Sequence, residues 1–178
     1  MTTTKKVPAK TALMKVLEDL LHKKSFQKIS VNELCESAKI SRSAFYANFD
    51  DKYQLLSYCL NTKAAEFNSL TEFHSPEEFL TVMLDFIQKE GNFFYNTFNT
   101  DLNEEIREIF YHFFDQHFTN ALKEKEAQGL VLPGPAEIVS SFYIGGLTNT
   151  IVRWIKGNYQ IPKAELAACQ YRLLKDIF

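Results

Sequence analysis

The chain is poor in the residues that interrupt helices. Its 178 residues include six glycines and five prolines, and most of these fall at the joints between longer stretches. No segment alternates apolar and polar residues over the length of a strand, and no internal repeat or low-complexity tract appears, so a sheet or a solenoid is not expected. The three cysteines, Cys35, Cys59 and Cys169, are far apart and form no C-x-x-C pair. That excludes a disulfide framework and reads as small buried residues in a reducing, cytoplasmic setting. No apolar run reaches the roughly 18 residues of a membrane span. The opening MTTTKKVPAK has basic residues with no apolar segment behind them, which is not a secretory signal. Also missing are a phosphate-binding glycine loop, a Ser/His/Asp or Cys/His set at helical spacing, and paired carboxylates in an evident cleft. No enzyme is expected.

Apolar residues make up 46% of the chain, enough to fill the core of one globule or of two small, closely packed subdomains. The net charge of −2 hides an asymmetry. Residues 1–52 carry ten Lys or Arg against six Asp or Glu, a net +4, and the remainder carries a net −6. A basic end on an acidic body suits a protein that offers one face to phosphate.

Helical periodicity runs through the whole chain. Ala12, Leu13, Val16, Leu17, Leu20 and Leu21 set a first helix over about 8–24. Ser75-Pro76-Glu77-Glu78 is a capping box that opens a helix to about Glu90, where Gly91 breaks it. A short helix over 92–99 follows. Asp101 with Glu104 starts a long one to about Gln128, and the loop Gly129 to Pro135 ends it. Two more helices are expected over 136–156 and from Pro162 to Phe178.

The most informative segment is SVNELCESAKISRSAFYANFDDK, Ser30 to Lys52. Ser30 and Glu33 form an S-x-x-E box, so a helix starts at Val31, and Val31, Leu34 and Ala38 give it a buried side. Lys39-Ile40 is long enough only for a turn. Ser41 is a good N-cap for a second helix, Arg42 to about Phe49. Ile40, Phe45 and Phe49 are expected to pack inward, leaving Arg42, Ser43, Ala44, Tyr46, Ala47 and Asn48 outward. Asp50 or Asp51 caps a further helix with Lys52 in its first turn. A helix this small fits the DNA major groove. There Arg42 can clamp guanine or phosphate, Ser43 and Asn48 can hydrogen-bond base edges, and the Ala44 methyl can meet a thymine methyl. The N-termini at Ser30 and Ser41 suit phosphate.

The string S-R-x-x-F-Y-x-x-F-x-x-K, together with Phe26, Ile29, Val31, Leu34, Ala38, Ile40 and Leu55-Leu56 around it, resembles the N-terminal DNA-binding domain of the TetR/AcrR family of bacterial regulators. The resemblance covers about residues 8–60. It implies an all-α chain of about nine helices: a helix-turn-helix DNA-binding domain (1–52), then a ligand-binding and dimerisation domain (53–178). It implies a homodimer on a palindromic double-stranded DNA operator, a small effector and, in most such proteins, repression. It implies sugar-phosphate contacts for Tyr46 and Lys52 and no cofactor. A protein on this scaffold that binds a protein partner instead of DNA is the alternative.

Eleven of sixteen phenylalanines lie between Phe67 and Phe118. Met83, Phe86, Phe94, Phe98, Phe110, Phe113, Phe114 and His117 are the candidates to line a pocket for an apolar or aromatic effector, where the resemblance puts one; a plain aromatic core is the other reading. Glu108 and His112 are four apart, but no second Glu/His set accompanies them, so no metal is expected. Ser141, Gly145 and Asn149 form a stripe of small residues. With Phe142, Val152, Leu166 and Leu173 they are the candidates for a helix-to-helix dimer face, and FYIGGLTNTIVRWIKG resembles the family's penultimate helix.

Overall fold

Leu13, Leu17 and Leu21 stand one turn apart, and each is fully buried. They turn the first helix, α1 (Ala9–Leu21), into one wall of the N-terminal core. The computed structural model describes residues 8–70, 76–98 and 104–174. Among them every regular element is helical: α1, a 3-10 turn (Phe26–Lys28), α2 (Val31–Ala38), α3 (Arg42–Tyr46), α4 (Lys52–Leu70), α5 (Pro76–Lys89), α6 (Gly91–Phe98), α7 (Glu104–Ala127), α8 (Ala136–Lys156) and α9 (Lys163–Leu174). The all-α, nine-helix expectation therefore holds for the described residues. None of these helices is long and apolar enough to cross a membrane.

Local chemistry explains the boundaries. Pro8 sits at the N-cap of α1. The helix ends at Leu21, short of the expected Lys24, whose ammonium turns away to bond both carboxylate oxygens of Glu33 at 2.6 Å. That pairing also corrects the capping box. Ser30 Oγ accepts from the Glu33 amide at 3.2 Å, but the Glu33 side chain is engaged by Lys24 instead of reaching back. Asp51, the second of the two candidate caps, starts α4: its carboxylate accepts from the amides of Tyr53 (2.9 Å) and Gln54 (2.8 Å). The break expected at Gly91 holds: α5 ends at Lys89, and Gly91 is the first residue of a separate helix, α6. Trp154 is locked beneath the corner after α8, its indole N–H donating to the Ile161 carbonyl at 2.7 Å. Ser75 and Asp101, the other expected caps, lie outside the described residues, as do 175–178.

The helices assemble around a main hydrophobic core that runs from Leu13 in α1 to Leu174 in α9, and a smaller cluster of Leu122, Ala136 and Val139 joins the end of α7 to the start of α8. α7 lies along α8, α5 along α9, and α6 packs against both α8 and α1. Cys35 and Cys59 are buried, as expected, whereas Cys169 is exposed: it falls on the outer side of α9, away from buried Leu166, Ala167 and Gln170.

The turn between α2 and α3 needs a left-handed residue. Lys39 takes φ 54° and ψ 41°, and the Ile40 amide then reaches back to the Cys35 carbonyl at 2.9 Å, a Schellman closure usually given to glycine. A side chain in this conformation costs roughly 1–2 kcal/mol. Lys39→Gly is expected to remove that cost, less the extra entropy that glycine gives the unfolded chain. A net gain of about 0.5–1 kcal/mol should appear as a higher urea midpoint; a lower midpoint would mean that the turn is not left-handed.

Candidate nucleic-acid interface

α3 has five residues, too few to be stable alone. It is held from both sides. Beneath it Phe45 is fully buried and Phe49 nearly so, their rings 6.0 Å apart, and Phe49 meets Tyr58 of α4 at 5.7 Å. At its start Ser41 Oγ accepts from the Ala44 amide at 3.2 Å and lies 3.1 Å from the Ser43 hydroxyl. The inward pair expected from the sequence is therefore the pair that anchors the helix, with Ile40 half-buried beside it.

Arg42, Ser43, Tyr46 and Ala47 are exposed. Arg42 does not project freely. Its Nη1 donates to Asn32 Oδ1 of α2, its Nη2 lies 3.5 Å from the Tyr46 hydroxyl, and the guanidinium stands over the Tyr46 ring at 5.7 Å. Asn32, Ser41 and Arg42 rim an open hollow of about 420 Å³ between α2 and α3. Asn32 is a candidate that reading the sequence missed. It lies ten residues before Arg42, and only the turn at Lys39 brings the two together.

Three expected contact residues have other roles. Ala44 and Asn48 are half-buried, and α3 ends at Tyr46 instead of continuing to Phe49. The Asn48 side chain donates to the Ala44 carbonyl at 2.7 Å and closes the end of the helix. Lys52 is the most fully engaged of the three. Its ammonium donates to the carbonyls of Phe26 (3.1 Å), Gln27 (3.2 Å) and Ile29 (2.9 Å), and lies 4.6 Å from the centre of the Phe26 ring. A lysine has three N–H donors, and here all three are taken by the segment that leads into α2. Partial burial pulls its pKa below the usual lysine value, while the three carbonyls favour the charged form. In the free protein Lys52 fastens α4 to the head and is not a loose cation waiting for phosphate.

The pocket and dimer candidates also separate. Met83, Phe94 and Phe98 are buried in the core; Phe86 and Phe114 are half-buried. Phe67, Phe86, Phe94 and Phe93 form a run of tilted or edge-on ring contacts with centroids 5.2–6.2 Å apart. The side chains of Phe110, Phe113 and His117 lie outside the described residues. On α8 and α9, Val152 and Leu166 are buried within the subunit. They are corrected to core residues, since they point toward the other helices of the same chain. Phe142 (76% exposed), Leu173 (65%), Ser141 and Asn149 face outward, and Ser141 shares a 2.8 Å hydrogen bond with the Tyr111 hydroxyl. Ile138 (66% exposed) extends the Phe142 stripe by one turn and was not anticipated. At Gly145 and Gly146 nothing beyond the neighbouring residues and the backbone of their own helix comes within 4 Å of where a Cβ would stand.

Residues 13–59 match the family model described as bacterial regulatory proteins, tetR family, and residues 74–176 match that of a transcriptional regulator C-terminal region. The HTH-type dhaKLM operon transcriptional activator DhaS of Lactococcus lactis is 27% identical over 119 residues; the match spans 66% of this chain and 60% of that protein's length. A solved transcriptional regulator from Aquifex aeolicus VF5 superposes with a TM-score of 0.58 at 25% identity, covering 96% of this chain and 99% of that one. A protein from Syntrophomonas wolfei assigned to the TetR family shares the fold at TM-score 0.69 and 14% identity, covering 94% and 93%.

The Lys52 geometry has a direct consequence. Lys52→Met is expected to lower stability by about 1–3 kcal/mol, the scale of hydrogen bonds from a charged donor to partly buried acceptors. Thermal denaturation without DNA measures it. An unchanged midpoint would return Lys52 to the role of an unengaged surface cation.

Proposed function

The chain belongs to the TetR family of bacterial regulatory proteins, and on that footing we propose that it is a homodimeric, effector-responsive regulator that binds a palindromic operator through α3. The observation that carries this reading is the two-sided character of α3. Phe45 is buried under it while Arg42, Ser43 and Tyr46 stand exposed on it, a surface with little use to an isolated chain. Residues 1–52 act as the reading head and 53–178 as the body.

In the complex Ser30, Ser41, Ser43 and Tyr46 contact the sugar-phosphate backbone, and Arg42, held by Asn32, addresses a base. Phosphate contacts release counterions, so affinity falls steeply with salt. Two heads must sit about 34–36 Å apart to enter successive turns of the major groove, which calls for a twofold partner. The outward stripe of α8 (Ile138, Phe142, Gly145, Gly146, Asn149), with Leu173 of α9 beside it, supports a helix-to-helix dimer: large apolar side chains flank a place where another backbone can approach closely. An apolar or aromatic effector enters among the Phe-rich helices, next to half-buried Phe86 and Phe114, and shifts their rings to move α4.

Repression, by occupying a promoter, is the first reading of the sign. One observation favours a second: the 27% identical Lactococcus lactis protein is named an activator. Deleting the gene and following a fusion of its own upstream region separates them, with expression rising under the first and falling under the second.

Two experiments test the core of the proposal. Gel shifts on operator DNA selected by the wild-type protein should show that Arg42→Ala costs about 1–3 kcal/mol and relaxes preference at one base position, with Asn32→Ala reproducing part of the loss. Specific binding that survives Arg42→Ala undiminished would remove α3 as the reading element, and an absence of any wild-type binding would favour the co-regulator reading. For the dimer, Gly146→Trp has room within its own subunit. It is expected to leave the far-ultraviolet circular dichroism spectrum intact while sedimentation shifts to the monomer mass. A persistent dimer would place the interface elsewhere.

A further inference from the structure

Head and body are tied at one corner. The Lys63 side chain of α4 is only 12% exposed. Its ammonium lies 3.3 Å from the Glu18 carboxylate of α1, donates to the Glu90 carboxylate at 3.0 Å, and sits 4.9 Å from the centre of the Phe93 ring. Burial alone would lower the Lys63 pKa, but the hydrogen bonds and charges of Glu90 and Glu18 outweigh it and raise it. A turn further along α6, Asn96 donates from its amide to the Leu21 carbonyl at 2.7 Å, capping the last residue of α1. Glu18 and Leu21 lie three apart on one face of α1, so both ties hold the same side of the head.

The corner reaches α8 and α9 as well. Gly91, the residue after Glu90, accepts at its carbonyl from the Tyr159 hydroxyl at 3.0 Å. Tyr159 belongs to the connection between α8 and α9, where it and Asn158 take left-handed φ values of 58° and 53°. Two adjacent non-glycine residues held this way are strained, and the ring of Tyr159 is fixed edge-on to Trp154 at 4.7 Å. A line of bonded groups therefore joins the corner beside the proposed dimer helices to α1.

We infer that Lys63 is a positioning residue for DNA recognition: by holding Glu18 of the head against Glu90 of the body, it fixes the angle at which the head leaves the body and so the gap between the two heads of a dimer. Without Lys63 two carboxylates face each other across the space that its ammonium occupied, and their repulsion opens the joint between α1 and α6. Glu18 and Glu90 touch no operator in this arrangement; their effect on DNA passes through the orientation of α3. The inference rests on the dimeric operator-binding reading above.

The test is a set of palindromic operators built on the sequence selected by the wild-type protein, with the half-sites moved apart or together by one and by two base pairs. Each added pair shifts a half-site by about 3.4 Å along the axis and also rotates it. Wild type should prefer its own spacing over the shifted ones by at least about tenfold, a typical coupling between groups in contact. Lys63→Met is expected to keep the dimer and the base preferences of α3 but to reduce that ratio to about threefold or less. Lys63→Arg, which can still bond both carboxylates, should restore it. A Lys63→Met protein with the wild-type spacing ratio overturns the inference and leaves the operator-binding reading standing. A wild-type protein with no specific binding overturns both. If Lys63→Met does not fold, Glu90→Ala takes its place: it removes the body's end of the tie and leaves Lys63 paired with Glu18 alone, and an unchanged spacing ratio in that variant overturns the inference equally.

Discussion

A five-residue helix has no stability of its own, and the exposed side chains of Arg42, Ser43 and Tyr46 stand on one. α3 exists because Phe45 and Phe49 are driven into the core formed by Leu13, Leu17, Leu34 and Leu55. The apolar area those rings remove from water, on the order of 2–3 kcal/mol for each fully buried side chain, supports the exposed faces of Arg42, Ser43 and Tyr46. The reading surface is thus the outer side of a packing solution.

Backbone polar groups set the second constraint. The segment from Phe26 to Ile29 passes close to α4 and carries carbonyls within reach of that helix, that of Phe26 also accepting from the Ile29 amide at 3.1 Å. Lys52 answers three of them with one ammonium. Asn96 answers the Leu21 carbonyl left open at the end of α1, and Asn48 does the same for Ala44. In each case a polar side chain that a linear reading leaves free for ligands is spent on the main chain, because a partly buried carbonyl without a donor is costly.

The outer face of α8 shows the opposite situation. Ile138 and Phe142 are exposed beside a pair of glycines whose Cα atoms have open space in front of them. Most of the chain's large apolar groups found cover inside the subunit, and these did not. Such a concentration is unusual on a surface that has no further use, and it lies on the helices joined through Tyr159 to the corner that carries Glu90.

Much of the fold was legible in advance. Helical spacing of apolar residues, the scarcity of glycine and proline, and caps such as Ser41 and Asp51 are local properties, so the sequence alone determined the succession of helices, the helix-turn-helix and the inward turn of Phe45 and Phe49. What it could not show were pairings between residues distant in the chain. The engagement of Lys52 with carbonyls 23 to 26 residues earlier, the hold of Asn32 on Arg42, the burial of Val152 and Leu166 and the Lys63 bridge between Glu18 and Glu90 all depend on how the helices cross. Crossing geometry is decided by the fit of many side chains at once, so those roles came into existence only when the helices packed.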